Sequence, residues 1–141
     1  MPQEKFNPAE LSVEDQISIA RMIIALLDDW GIDNADKINL LGLPTDTKPR
    51  ALNRYVDNTP LPLDAEIYER IEHFVGIAEA LRLANPLNPN EPAMWIKRRH
   101  RRFNQRSPLT IMLEDGLRGI VTVRTHIDCS YDWFIDEQQA R

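Results

Sequence analysis

The sequence predicts an all-α protein, a compact bundle of about seven short helices that includes a helix-turn-helix module. Three observations predict it. Apolar residues recur at three- and four-residue spacing in several separate stretches, no run alternates apolar and polar in the manner of a strand, and capping and helix-stopping residues stand at the ends of the periodic stretches.

The helices follow in order. Residues 1–10 are polar with two prolines and form a flexible arm. Ser12 is an N-cap, followed by Asp15 where a capping box prefers Glu or Gln. Ile17, Ala20, Ile23, Ile24, Leu27 and Trp30 then mark one helical face, and Gly31 stops it. Asn34 is placed to cap a short second helix with Ile38, Leu40 and Leu41 inward, before Gly42-Leu43-Pro44 turns the chain. Thr45 or Thr47 caps a third helix, Pro49 being tolerated within its first turn. Ala51, Leu52 and Tyr55 give it an apolar face. After the Asp57–Pro62 break, a long helix carries Ile67, Ile71, Phe74, Val75, Ala78 and Leu81 on one stripe. The segment from Asn85 to Pro92, with three prolines, is the best domain boundary. A helix around Met94–Arg101, a loop near Asn104, a helix from Ser107 or Pro108, a break at Gly116 and a last helix with Leu117, Ile120, Val121 and Ile127 complete the chain. One hydrophobic core shared by both sets of helices is expected, since neither set has much apolar surface to bury.

Composition narrows the function. The chain has 141 residues and no apolar run near the ~20 that span a membrane. Its start shows no signal-peptide pattern. The single cysteine, Cys129, excludes an internal disulfide and suits a cytoplasmic setting. His73, His100 and His126 are dispersed and lack zinc-site spacing, so no metal and no cofactor are expected. Net charge is −5, unevenly spread: Lys97, Arg98, Arg99, Arg101, Arg102 and Arg106 are six of the 17 basic residues. A basic island on an acidic body points to one localised anionic partner surface.

Leu40-Leu41-Gly42-Leu43 joins two helices through a small residue, as a helix-turn-helix requires. The helix after it offers Thr45, Thr47, Lys48, Arg50, Asn53 and Arg54. Arg and Asn read guanine and adenine edges, while Lys and Thr hold phosphates. A tight αα-hairpin with no DNA contact accounts for the same residues. The basic run is open in the same way: a solvated helix end, a phosphate-tracking surface, or a docking face for an acidic protein. Trp95 and Phe103 at its edges read as core anchors.

The C-terminal part carries the most specific pattern. It comprises Trp95, Phe103, Ser107-Pro108-Leu109, Met112-Leu113-Glu114-Asp115-Gly116-Leu117, and the helix end Val123-Arg124-Thr125-His126-Ile127-Asp128-Cys129. This pattern, with the Leu-Leu-Gly-Leu turn upstream, resembles the Xre/MbcA/ParS antitoxin family over residues 17–134. The resemblance implies a helix-turn-helix region at 11–84, a toxin-binding domain at 93–134 and a tail at 135–141. It implies an antitoxin of a type II toxin–antitoxin pair. The partner would be a RES-domain toxin, which consumes NAD⁺ or transfers ADP-ribose from it, and the antitoxin would cover its active site. The resemblance allows operator DNA as a second partner, and a homodimer is expected. The matching toxin-binding positions are Arg124, Ile127, Asp128, Tyr131, Asp132, Trp133 and Phe134: the carboxylates face toxin arginines and the rings act as anchors. Tyr131 and Trp133 folding back on the bundle is the other reading.

Catalysis finds little support in the residues. His126 and Cys129 are three apart on a helix, yet no oxyanion donors or third orienting group accompany them. Glu72 and Asp115 are isolated carboxylates. The competing class is a stand-alone helix-turn-helix regulator without a toxin partner.

Overall fold

A computed structural model describes residues 7–139, and side chains through Cys129. Among the described residues the chain is all-α, without a strand. Six α-helices are present: α1 (Val13–Asp29), α2 (Asn34–Leu41), α3 (Leu52–Asp57), α4 (Ala65–Ala84), α5 (Glu91–Lys97) and α6 (Pro108–Gln139), with 3-10 turns at Pro8–Glu10, Pro49–Ala51 and Arg101–Phe103. Gly116 lies inside α6 at φ 63°, ψ −140°, a conformation open to glycine, so α6 is two helical segments joined at a kink. Counted this way, the helices number about seven, as the periodicity predicts. The chain divides into two compact units, Met1–Ile71 and Glu72–Arg141. Each unit has buried side chains of its own.

Unit 1 is organised by helix ends. Ser12 Oγ accepts from the Asp15 N–H at 3.1 Å and opens α1. Gly31, at φ 72°, closes α1 with two capping bonds: its own N–H donates to the Asp28 carbonyl (2.8 Å), and Ile32 N–H donates to Leu27 (3.1 Å). The cap of α2 is Asp33, not Asn34; its Oδ1 accepts from Asp36 N–H at 2.8 Å. Asp33 stands one residue ahead of the helix, where its carboxylate reaches forward to a free N–H of the first turn. Burial, and then the nearby Asp33 charge, raise the Asp36 carboxyl above its ordinary range.

Gly42 ends α2 at φ 74° and repeats the α1 closure, with Leu43 N–H donating to Ile38 (3.1 Å). A Cβ at Gly42 would lie 2.9 Å from Arg70 Nε, a contact the flexible arginine side chain can relieve, so it is the positive φ of the turn that calls for glycine. Neither Thr45 nor Thr47 caps the next helix. Lys48 precedes the turn Pro49–Ala51 without a side-chain cap, and α3 follows with only six residues. The proline starts a 3-10 turn and absorbs the first turn of the expected helix. Instead of a cap, α3 is held at its other end: Arg21 of α1 donates from Nε (2.8 Å) and Nη2 to the Asp57 carbonyl.

Ala20, Ile23, Ile24, Leu27, Leu40, Leu41, Leu52, Leu61 and Ile67 fill the interior of this unit. Two polar side chains are buried with them. Gln16 Nε2 donates to the carbonyls of Leu11 (3.0 Å) and Pro8 (3.3 Å). That pins the turn Pro8–Glu10 to α1, so the described end of the 1–10 arm is packed, with Pro8 buried. Lys37, 4% exposed, donates to Asp28 Oδ1 and to Asn34 Oδ1 (3.1 Å). It thereby joins the start of α2 to the end of α1 through a buried ammonium.

In unit 2, Phe74, Ile77, Leu81, Ile96, Phe103, Ile111, Met112, Ile120, Val123 and Ile127 are buried. Val75 is 40% exposed, and Ile77 takes the inward place that the sequence assigned to it. The Asn85–Pro92 segment connects α4 to α5 inside unit 2, while the division of the chain falls within α4. Ser107 opens α6, its Oγ accepting from Thr110 N–H at 3.1 Å, and Pro108 occupies the first position.

Candidate functional site

The six residues read as DNA-facing all belong to unit 1, around the turn and α3. Thr45, Lys48, Arg50, Asn53 and Arg54 are exposed, and Thr47 is half-buried. Arg50, Asn53 and Arg54 follow i, i+3, i+4 spacing along Pro49–Asp57 and so share a face. Leu52, which is buried, holds the opposite face inward. The arrangement is a short basic helix end beside a glycine turn. It is shorter than the sequence suggests, which limits how many base edges one such helix can reach.

The residues read as toxin-binding lie on the second segment of α6. Asp128 is exposed. Arg124 is half-buried and engaged within unit 2: its Nη1 donates to His73 Nδ1 (3.1 Å), and its guanidinium lies 3.6 Å from Glu72 and 3.8 Å from Asp128. It also rests against Gly76, where a Cβ would come within 2.6 Å of Nε. Arg124 is therefore a packing and ion-pair residue of the folded chain. Ile127 is 5% exposed and belongs to the core, which corrects its assignment to a partner-facing surface. Helical period places it, like Ile120 and Val123, on the inward side of α6. Tyr131, Asp132, Trp133 and Phe134 lie outside the residues whose side chains are described.

The basic run begins at the end of α5 and continues as a loop. α5 stops at Lys97, Arg98 is extended, and the chain turns through Arg101–Phe103 into Asn104 and Gln105, both at positive φ. His100 N–H donates to the Arg106 carbonyl (3.2 Å) and closes the loop. Several cations are matched locally: Arg98 pairs with Glu91 (3.4 Å), and Arg106 with Glu114 (2.7 Å) and Asp115 (3.4 Å). The Asp115 and Glu114 hydrogen bonds hold the Arg106 guanidinium still more firmly protonated than usual. Arg99 and Arg101 are exposed.

The same loop builds a ring cluster that sequence reading did not find. Trp95 and His100 have centroids 4.9 Å apart, and Phe103 sits edge-on to both at 6.4 and 6.1 Å. His126, on α6, lies 4.6 Å from Phe103. His100 Nε2–H donates to the Trp95 carbonyl at 3.0 Å, which fixes that ring. Beside the cluster is a cavity of about 480 Å³ lined by Ala80, Leu81, Ala84, Asn85, Trp95, His100, Arg101, Arg102, His126 and Ile127. Burial, then the charges of Arg102 and His100, lower the His126 pKa below its ordinary value.

That shift has a consequence for stability. Between the lowered value and the ordinary ~6.5, the unfolded chain binds more protons at this site than the folded one, so stability rises with pH. The contribution is intact above ~6.5 and is lost as pH falls through this window. The melting temperature is expected to drop on acidification from neutral pH. His126→Gln is expected to flatten that slope, as read by thermal unfolding monitored by circular dichroism; equal slopes for both proteins would remove His126 from the effect.

Among the described residues no group of His, Cys, Asp or Glu could hold a metal ion, and no helix is long and apolar enough to cross a membrane. Compared with protein-family models, curated proteins and solved structures, the chain matches none.

Proposed function

We propose that this chain is the antitoxin of a type II toxin–antitoxin pair, acting in the cytoplasm as a homodimer. It neutralises a RES-domain toxin by covering the active site at which that toxin consumes NAD⁺. One observation carries the reading furthest: the residues behind the resemblance are those that shape unit 2. Ser107 caps, Pro108 leads the helix, and Gly116 at φ 63° redirects it into the segment that carries Asp128. The partner-facing groups are then Asp128 together with Tyr131, Asp132, Trp133 and Phe134, while Arg124 and Ile127 support them from within the fold. An electropositive cleft made for a dinucleotide suits carboxylates flanked by rings. The reading is tested by co-expression with the product of the neighbouring gene.

The exposed cluster Lys48, Arg50, Asn53 and Arg54 favours a second activity, binding of the operon's own operator, which would stand alone in a regulator without a toxin. Two base-reading arginines are worth about 1–3 kcal/mol each. Arg50→Ala combined with Arg54→Ala is therefore expected to weaken operator retardation by about thirtyfold or more at ~100 mM salt. Unchanged retardation would remove this face from DNA recognition.

A further inference from the structure

We infer that the cavity beside the Trp95–His100–Phe103–His126 cluster binds a small aromatic anion, its flat body against the rings and its carboxylate or phosphate at the Arg101 edge. The inference is independent of the toxin reading, since none of the cavity's lining residues belongs to the proposed partner-facing set. Size is the first argument: about 480 Å³ falls inside the ~300–1,000 Å³ range of ligand clefts. Lining chemistry is the second. Ala80, Leu81, Ala84 and Ile127 form an apolar floor, and Trp95, His100 and His126 add half-buried rings. Arg101, Arg102 and the two imidazoles place positive or protonatable groups at the same cavity, and no carboxylate is among its described lining residues. The acidic groups nearby in sequence are paired with cations: Glu79 with Arg82, Glu91 with Arg98, Glu114 and Asp115 with Arg106, and Asp128 with Arg124. Asn85 adds an amide donor and acceptor to the lining.

The third argument is rigidity. His100 is anchored through Nε2–H to the Trp95 carbonyl and by the His100–Arg106 closure, and Phe103 wedges between Trp95 and His126. The rings are thus held before any ligand arrives, which lowers the ordering cost of binding. A planar body gains from stacking on such rings, and a guanidinium matches a carboxylate or phosphate in a bidentate fork.

Isothermal titration of the full chain with four probes tests this: 1-naphthoate and 5′-AMP as ring-bearing anions, adenosine as a ring without charge, and inorganic phosphate as charge without a ring. Saturable one-to-one binding is expected for at least one ring-bearing anion. 1-Naphthoate alone would identify a carboxylate ligand and 5′-AMP alone a phosphate ligand. Adenosine and inorganic phosphate are each expected to bind at least about tenfold more weakly. Arg101→Gln should weaken the binding anion about fivefold or more, and Ala84→Phe, which fills the floor, should abolish binding with an unchanged circular dichroism spectrum. Should Ala84→Phe disturb the fold, protection of Trp95 and His126 signals in NMR titration of the unaltered chain gives the same reading. No saturable binding of either ring anion, binding equalled by adenosine or phosphate, or binding that survives in folded Ala84→Phe would overturn the proposal.

Discussion

Gly119→Ala is expected to destabilise the chain by about 3 kcal/mol, against the direction that helix propensity alone gives. Alanine outranks glycine by about 1 kcal/mol in a helix interior, so a reader of the sequence would expect a gain. The kink at Gly116 reverses the sign. It brings the start of the second α6 segment close against the end of the first, and a Cβ at Gly119 would lie 2.9 Å from Asp115 Cβ, 3.0 Å from the Ile111 carbonyl carbon and closer still to its oxygen. Two of these atoms are backbone and cannot swing aside. Relief requires moving one segment off the other, which disturbs the buried Ile111, Met112, Ile120 and Val123. Urea unfolding followed by circular dichroism measures the change, with Thr122→Ala on the exposed side of the same segment expected within about 0.5 kcal/mol of the parent. A Gly119→Ala protein as stable as the parent would show that the close approach is not maintained.

Asp28→Ala is expected to cost about 2–4 kcal/mol in unit 1, while Lys37→Met is expected to be neutral within about 1 kcal/mol or stabilising. The two partners of one ion pair are unequal because their surroundings are. The Lys37 side chain is 5% exposed and that of Asp28 58%. Removing the carboxylate leaves a buried ammonium with Asn34 as its described remaining acceptor. Removing the ammonium leaves a carboxylate that water already reaches, and methionine fills a similar volume. The exposure of Asp28 admits some water to the vacated site, which sets the estimate below that of a fully buried pair. In the double variant the cost of Asp28→Ala should nearly disappear. Equal losses for both single variants in urea unfolding would mean that the pair acts as an ordinary surface bridge.

The features legible in the sequence were the local ones. Ser12, Gly31, Gly42, Ser107 and Gly116 act within a few residues of themselves, through a cap or a positive φ, and each has the role its neighbours suggest. Thr45 and Thr47 misled because capping chemistry is permissive, and Pro49 had already committed the chain to a 3-10 turn. Val75 and Ile77 on α4 show how one apolar residue off the stripe blurs a helical face. The Asn85–Pro92 segment has linker composition yet only turns the chain between α4 and α5, whereas the division between units leaves no compositional mark because it falls inside a continuous helix.

The candidate sites divide along the same line. Arg50, Asn53 and Arg54 follow from spacing on one short element and are exposed as expected. The resemblance alone puts Arg124 and Ile127 at the partner surface, but His73 and Gly76, some fifty residues earlier, decide what Arg124 touches. The His100–Phe103–His126 grouping joins a loop to the far side of the Gly116 kink. Nothing in the spacing of those residues foretells it, and the surrounding arginines conceal His100 inside what reads as a charge run.

The proposed role turns on whether the chain holds a toxin. Affinity-tagged full chain, co-expressed with the product of its neighbouring gene, is expected to co-purify as a stable complex without NAD⁺-consuming activity, while a chain ending at Ser130 is expected to leave that activity intact. A full chain that neither retains the neighbour's product nor lowers its consumption of NAD⁺ would contradict the account.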